Sequence, residues 1–149
     1  MNKKFVFLFS LILNLSFSAY SQSADKMSEI LETQTVTYGQ VSYLACVFSN
    51  TIDEDVTYDK ALATMKSNSL VPMSVKTNDP IKLGKVAQIF ARAANLKGGL
   101  MYTITKSQRY SFKELKAQDI LPQNADPSMK ISGRDALAIL QECIDANSK

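Results

Sequence analysis

Arg92, Lys97, Arg109, Lys113, Lys116 and Arg134 are cations of the kind that can line an anion-binding groove, because guanidinium and ammonium groups pair readily with carboxylate and phosphate. Tyr102 and Tyr110, near Arg109, are rings that can stack on a sugar or else fill core beside a loop. From these, Arg92, Arg109, Tyr110 and Arg134 are taken as the ligand-binding candidates; the plain alternative is that they are solvated surface. The acidic stretch DEDVTYD, Asp53 to Asp59, lacks a calcium loop's glycine and twelfth-position acid: counting from Asp53, those places hold Tyr58 and Thr64. It reads instead as an acidic entry that favours a helix N-terminus. The chain has no histidine, which removes the commonest general base and transition-metal ligand. It has no Gly-rich phosphate loop, nucleophile elbow or metal-ligand cluster. A pair of carboxylates could still act together, but their separation in space is not legible in a sequence. No catalytic residue, metal or cofactor is therefore expected, and the chain is read as non-enzymatic.

The elements that position these side chains begin after residue 21. Lys3 and Lys4, an apolar run from Phe5 to about Phe17, and Ala19 and Ser21 before a cleavage point form a secretory signal, residues 1–21. The run is short for a membrane span and contains Ser10 and Asn14. No stable span is expected after cleavage, and the protein is placed in the periplasm or at the cell surface. Of the 149 residues, 22–149 form one domain. The net charge of +3 falls to about +1 without the signal, so total charge argues for neither nucleic acid nor anionic membrane as partner. Cys46 and Cys143 are expected either to pair, as exported cysteines can, or to be two small buried hydrophobes.

The domain repeats itself. NSLVPMSVKTNDPIKLGKVAQIFARAANL, from Asn68, matches QDILPQNADPSMKISGRDALAILQECI at a constant spacing of 50 residues. Leu62 faces Phe112, Met65 faces Leu115, Ile81 faces Ile131, and Phe90 faces Leu140. A third, partial copy, VTYGQVSYLACVF, lies 45 residues before IKLGKVAQIFARA. The expected fold is all-α: tandem helix–loop–helix repeats around one core, with two full units and a partial N-terminal one (about 25–50, 57–98 and 108–146).

The first helices are expected at 58–69 and 112–119, stopped by Pro72 and Pro122. In the second helices, Val86, Ile89, Phe90 and Ala93 form one stripe, repeated by Ala136, Ile139, Leu140 and Cys143. Thr37 with Gln40, Ser132 with Asp135, and Ser111 with Glu114 have the spacing of capping boxes. The middle unit has lysines there, so its cap is sought in Asp79 or Asn78. Gly98-Gly99 is read as a left-handed stop, followed by a weakly alternating link, LMYTITKSQRY, with room for a short extended segment.

This arrangement resembles the S-layer homology (SLH) domain, whose tandem units pair a helix, a loop and a second helix opening on an I-T-R-A-E type motif. ISGRDALAIL sets Ile131, Ser132 and Asp135 at the Ile, Thr and Glu places; VTYGQVSYLA sets Val36, Thr37 and Gln40 there. PIKLGKVAQIFARAANL supplies Ile81 and the terminal Arg92-Ala93. The resemblance covers about 35–146. It departs in lacking the first-helix Trp, the G-Y-x-D-G-x-F-x-P loop, and the motif Arg, replaced by Tyr38, Leu83 and Gly133 with Arg134 one place late. The resemblance implies a non-catalytic, exported cell-envelope module that binds a cell-wall glycan or polymer in grooves lined by Arg and Gly. The alternative is a periplasmic scaffold protein that holds another protein in its helical grooves.

Overall fold

The computed structural model describes residues 24–148; the expected signal, 1–21, lies outside them. Seven helices are described: α1 (24–32), α2 (Tyr38–Phe48), α3 (Tyr58–Ser67), α4 (Leu83–Ala93), α5 (Leu100–Thr105), α6 (Gln108–Ala117) and α7 (Gly133–Asn147). Among the described residues there is no strand beyond an isolated antiparallel bridge between Thr37 and Pro80. The chain is all-α around one core, as expected. α2 packs on α3 and α4 on α6, while α4 also lies against α2 and α7. The expected stripes face that core, with Val86, Phe90, Ala136 and Cys143 fully buried.

α3 and α6 begin 50 residues apart, at Tyr58 and Gln108, and α4 and α7 do so at Leu83 and Gly133. The latter two starts match the expected register. The first helices do not match in detail. α6 begins earlier than residue 112, capped by Ser107, whose hydroxyl accepts from the Tyr110 N–H. Ser111 is no cap; it is buried, and its hydroxyl has no hydrogen-bond partner among the described residues. Proline does not stop α3 or α6. Both end several residues before Pro72 and Pro122, through a left-handed residue: Ser69 (φ 56°) after α3 and Asp119 (φ 57°) after α6. In each case the next N–H reaches back to the carbonyl five residues earlier, Leu70 to Met65 (3.0 Å) and Ile120 to Leu115 (2.9 Å), a Schellman closure. Asn50 after α2 and Asn95 after α4 act likewise. So Asn95, not Gly98-Gly99, ends α4. The following segment is the helix α5 rather than an extended link, because Tyr102 turns inward and anchors it at 2% exposure.

The second helices start at a ring of backbone hydrogen bonds. The Tyr38 N–H donates to the Asp79 carbonyl (3.0 Å), Leu83 to Met129 (2.8 Å), and Gly133 to Thr33 (2.8 Å). Each start thus leans on the loop of the next helix pair, and the third pair returns to the first. Val36 N–H to Ile131 O (3.0 Å) and Ile81 N–H to Val36 O (3.1 Å) run through the middle of this circuit. Capping boxes close α2 and α7 as expected, Thr37 with Gln40 and Ser132 with Asp135. α4 has no side-chain cap. Asp79 is occupied with the Lys76 N–H, and the free donors of Leu83 and Gly84 are met by Met129 and Pro127 carbonyls across the pair boundary instead.

Cys46 and Cys143 are both buried free thiols; the structure forms no bridge between them. Cys46 points at the Ala61 carbonyl in the α2–α3 contact, 3.9 Å away, whereas Cys143 lies on the inner stripe of α7 near Tyr102. The two thiols serve different contacts. Burial pushes Cys46 up to about 11 and Cys143 up to about 12, the latter helped by Glu142.

Candidate functional site

Steps of four and three residues put Arg109, Lys113 and Lys116 on one face of α6, with Phe112 between them. Together with Gln108 and Pro127 they line an open groove of about 600 Å³. Gln108 and Pro127, at its rim, are set by a close backbone approach. A Cβ on Gly84 would lie 2.8 Å from Gln108 Nε2 and 2.9 Å from Pro127 Cβ, so both residues sit directly on a glycine. Gly39 is packed in the same way under Thr77 and Tyr58, the residues 50 places before Pro127 and Gln108.

The cations are not equivalent. Lys116 is fixed: its Nζ donates to the Gln123 carbonyl (2.8 Å) and stands 5.1 Å over the Phe112 ring. Arg109 and Lys113 are exposed, and no hydrogen bond or ion pair engages either among the described residues. Next to Pro127 in the chain, Asp126 accepts from both the N–H and the hydroxyl of Ser128 (2.7 Å each). Those bonds, more than Lys116 and Lys82, hold its pKa below the usual carboxylate value. The Arg109–Lys113 end is therefore where an anion meets unengaged positive charge.

The matching place on α3 cannot do this. It carries Tyr58, Asp59, Leu62, Ala63 and Lys66, with Thr77 opposite. There the Thr77 hydroxyl donates to the Asp59 carboxylate, so an acid replaces Arg109 and is tied to the loop.

The other candidates lie elsewhere. Arg92 is half-buried and borders a smaller recess with Cys46, Met65 and Ile89, between α2, α3 and α4. Tyr110 is half-buried against the core, and Tyr102 is within it. Arg134 is exposed in the first turn of α7 and lines neither the α6 groove nor that recess. Lys97 is exposed before α5. Of the four candidates, the α6 groove holds only Arg109. Sequence reasoning missed Gln108, Phe112 and Pro127 as lining residues. Phe112 is 7% exposed; the available signal was its place between three cations at helical spacing.

A second groove, about 350 Å³, is mainly apolar. Leu83, Ile120, Leu121, Pro122, Met129 and Ile139 are among its walls, and Asp135 stands at its edge. Among the described residues no helix is long and apolar enough to cross a membrane, and no three His, Cys, Asp or Glu side chains gather as a metal site. No family model matches the chain, and no curated protein or solved structure matches it.

Proposed function

We propose that this chain is a non-catalytic, SLH-like module of the cell envelope, exported behind its N-terminal signal, which binds an anionic cell-wall glycan or polymer along α6. The observation that carries the reading is that unengaged Arg109 and Lys113 share one open groove with Gln108 and Pro127. Guanidinium and ammonium groups suit the carboxylate or phosphate substituents of such a polymer. An open site on one helix face fits a polymer that passes through rather than a small molecule that is enclosed.

The test is retention on purified cell-wall material. The native protein is expected to be retained, to elute with salt, and to be lost when the glycan is stripped. Arg109→Glu with Lys113→Glu is expected to reduce retention at least about tenfold, since two attractive contacts become repulsive. Undiminished retention of that variant sinks the reading.

The apolar groove between the 120–131 loop and α7 favours a second reading, a scaffold that seats an apolar side chain of another envelope protein. Ala138→Trp, at its wall, is expected to abolish capture of such a partner while leaving wall retention intact.

A further inference from the structure

α5 is an addition to the helix-pair plan: the link between α2 and α3, residues 49–57, holds no helix. It is firmly held. The Tyr102 hydroxyl donates to the Ala91 carbonyl (3.2 Å), the Gly99 N–H to Glu114 Oε2 (3.0 Å), Gln118 Nε2 to the Lys97 carbonyl (2.7 Å), and Gln88 Nε2 to the Lys106 carbonyl (3.0 Å). Yet its outer face is apolar: Leu100 is 74% exposed, Ile104 69% and Met101 49%. Ile104 lies four residues after Leu100 and three after Met101, on a face it shares with each, so the three side chains form a single tip. A frayed loop could fold such residues away; this short helix is tethered at both ends and holds them out.

The charge around the tip is one-sided. Residues 97–118 contain Lys97, Lys106, Arg109, Lys113 and Lys116 against one acid, Glu114, and Glu114 is engaged by Gly99 and Gln118. Elsewhere from Gln22 onward the chain has ten cations and thirteen acids. The near-neutral total hides this segregation.

We propose that the α5 tip is a membrane-surface contact, in which Leu100, Met101 and Ile104 enter the interface of an anionic bilayer while the flanking lysines meet its phosphates. Three exposed apolar side chains on a segment rich in cations, with Lys97 and Lys106 flanking the helix, are the elements of reversible interfacial binding, and a bilayer needs no complementary pocket. A second copy of the chain is the poorer occupant. It would press two basic surfaces together, and three side chains fall far short of the roughly 1,200–2,000 Å² that a stable protein interface buries.

The experiment is co-sedimentation of the natively exported protein with large vesicles of phosphatidylglycerol and phosphatidylethanolamine, or of phosphatidylcholine alone. Binding is expected only to the anionic vesicles and to weaken with salt. Leu100→Ser with Ile104→Ser is expected to reduce it at least about tenfold, with the helical circular dichroism unchanged because both sites are exposed. Lys97→Gln with Lys106→Gln is expected to reduce it severalfold. The chain has no tryptophan, so Met101→Trp reports directly, and its emission is expected to shift to the blue on adding anionic vesicles. The proposal is overturned by absence of binding to anionic vesicles at low salt, by unchanged binding of the Leu100/Ile104 variant, or by an unshifted tryptophan. It is also overturned by a dimer that the Leu100/Ile104 variant abolishes, which would give the tip to a second copy. Because wall retention rests on α6, the Leu100/Ile104 variant is expected to keep it, so the two readings fail separately.

Discussion

Ser111 and the two cysteines show how single buried groups set the behaviour of this chain. Ser111 is fully buried with an unpartnered hydroxyl, while the position 50 residues earlier, also fully buried, is Ala61. A hydroxyl taken out of water without a hydrogen bond is destabilising, and alanine is the better helix former. Ser111→Ala is therefore expected to stabilise the protein by about 1 kcal/mol, read from the urea midpoint; a loss of stability would reveal a bond to that hydroxyl. The thiols give a pH dependence. Their folded pKa values of about 11 and 12 lie above the ordinary 9.0. The unfolded chain therefore loses its thiol protons first as pH rises. This part of the stability is complete below about pH 9 and drains away as pH climbs through 11 and 12. The half-buried Tyr38 and the buried Tyr102, also raised chiefly by burial, act in the same direction above pH 10. Replacing both cysteines by alanine is expected to flatten the fall in the urea midpoint between pH 9 and 10; an equally steep fall would assign it to other groups.

At the scale of elements, glycines at the starts of the second helices decide how closely the pairs approach. Gly84 lies under Gln108 and Pro127, and a Cβ on Gly133 would overlap the Ile30 carbonyl. Alanine is the stronger helix former by about 1 kcal/mol, so propensity alone makes Gly133→Ala stabilising. The overlap is with backbone and cannot be relieved by a rotamer change. Gly133→Ala is expected to lose roughly 1–3 kcal/mol instead, measured by chemical denaturation. Gly84→Ala, which meets a flexible Gln108 and a proline, is expected to lose less and also to weaken wall retention by displacing the groove's rim. Reversal of that order would mean that α1 yields more readily than the 120–131 loop. The glycine step from second helical position in α2 and α4 to first in α7 has the same origin. The last helix meets the end of α1 at Ile30 and Thr33, not a loop like 77–79 or 127–129.

At the scale of the molecule, the hydrogen bonds Tyr38–Asp79, Leu83–Met129 and Gly133–Thr33 join the three helix pairs into a closed circuit. A closed circuit has no terminal pair that can peel away without breaking two boundaries, so unfolding is expected as one transition. Ile30, fully buried where the circuit closes, tests this. Ile30→Ala is expected to cost roughly 2–5 kcal/mol with coincident midpoints by far-ultraviolet circular dichroism and tyrosine fluorescence; separated midpoints would show the first pair leaving alone. The helices, the inner stripes and two capping boxes were legible in the sequence, because 3.6-residue periodicity and cap chemistry are local. So was the spacing of 50 residues that sets Gln108 against Tyr58. Helix ends at Ser69, Asp119 and Asn95 were not, because non-glycine residues took the left-handed positions, with Pro72 and Pro122 lying a few residues beyond. α5 was not, since its helicity depends on Tyr102 finding the Ala91 carbonyl on another helix. The candidate site was legible only in part: helical spacing alone sets Arg109, Lys113 and Lys116 on one face of α6, but that Pro127 closes this face into a groove depends on the backbone approach of Gly84 to Pro127. Periodicity and capping belong to the local chain, whereas a groove is made by segments distant in sequence, and only the packed circuit brings them together.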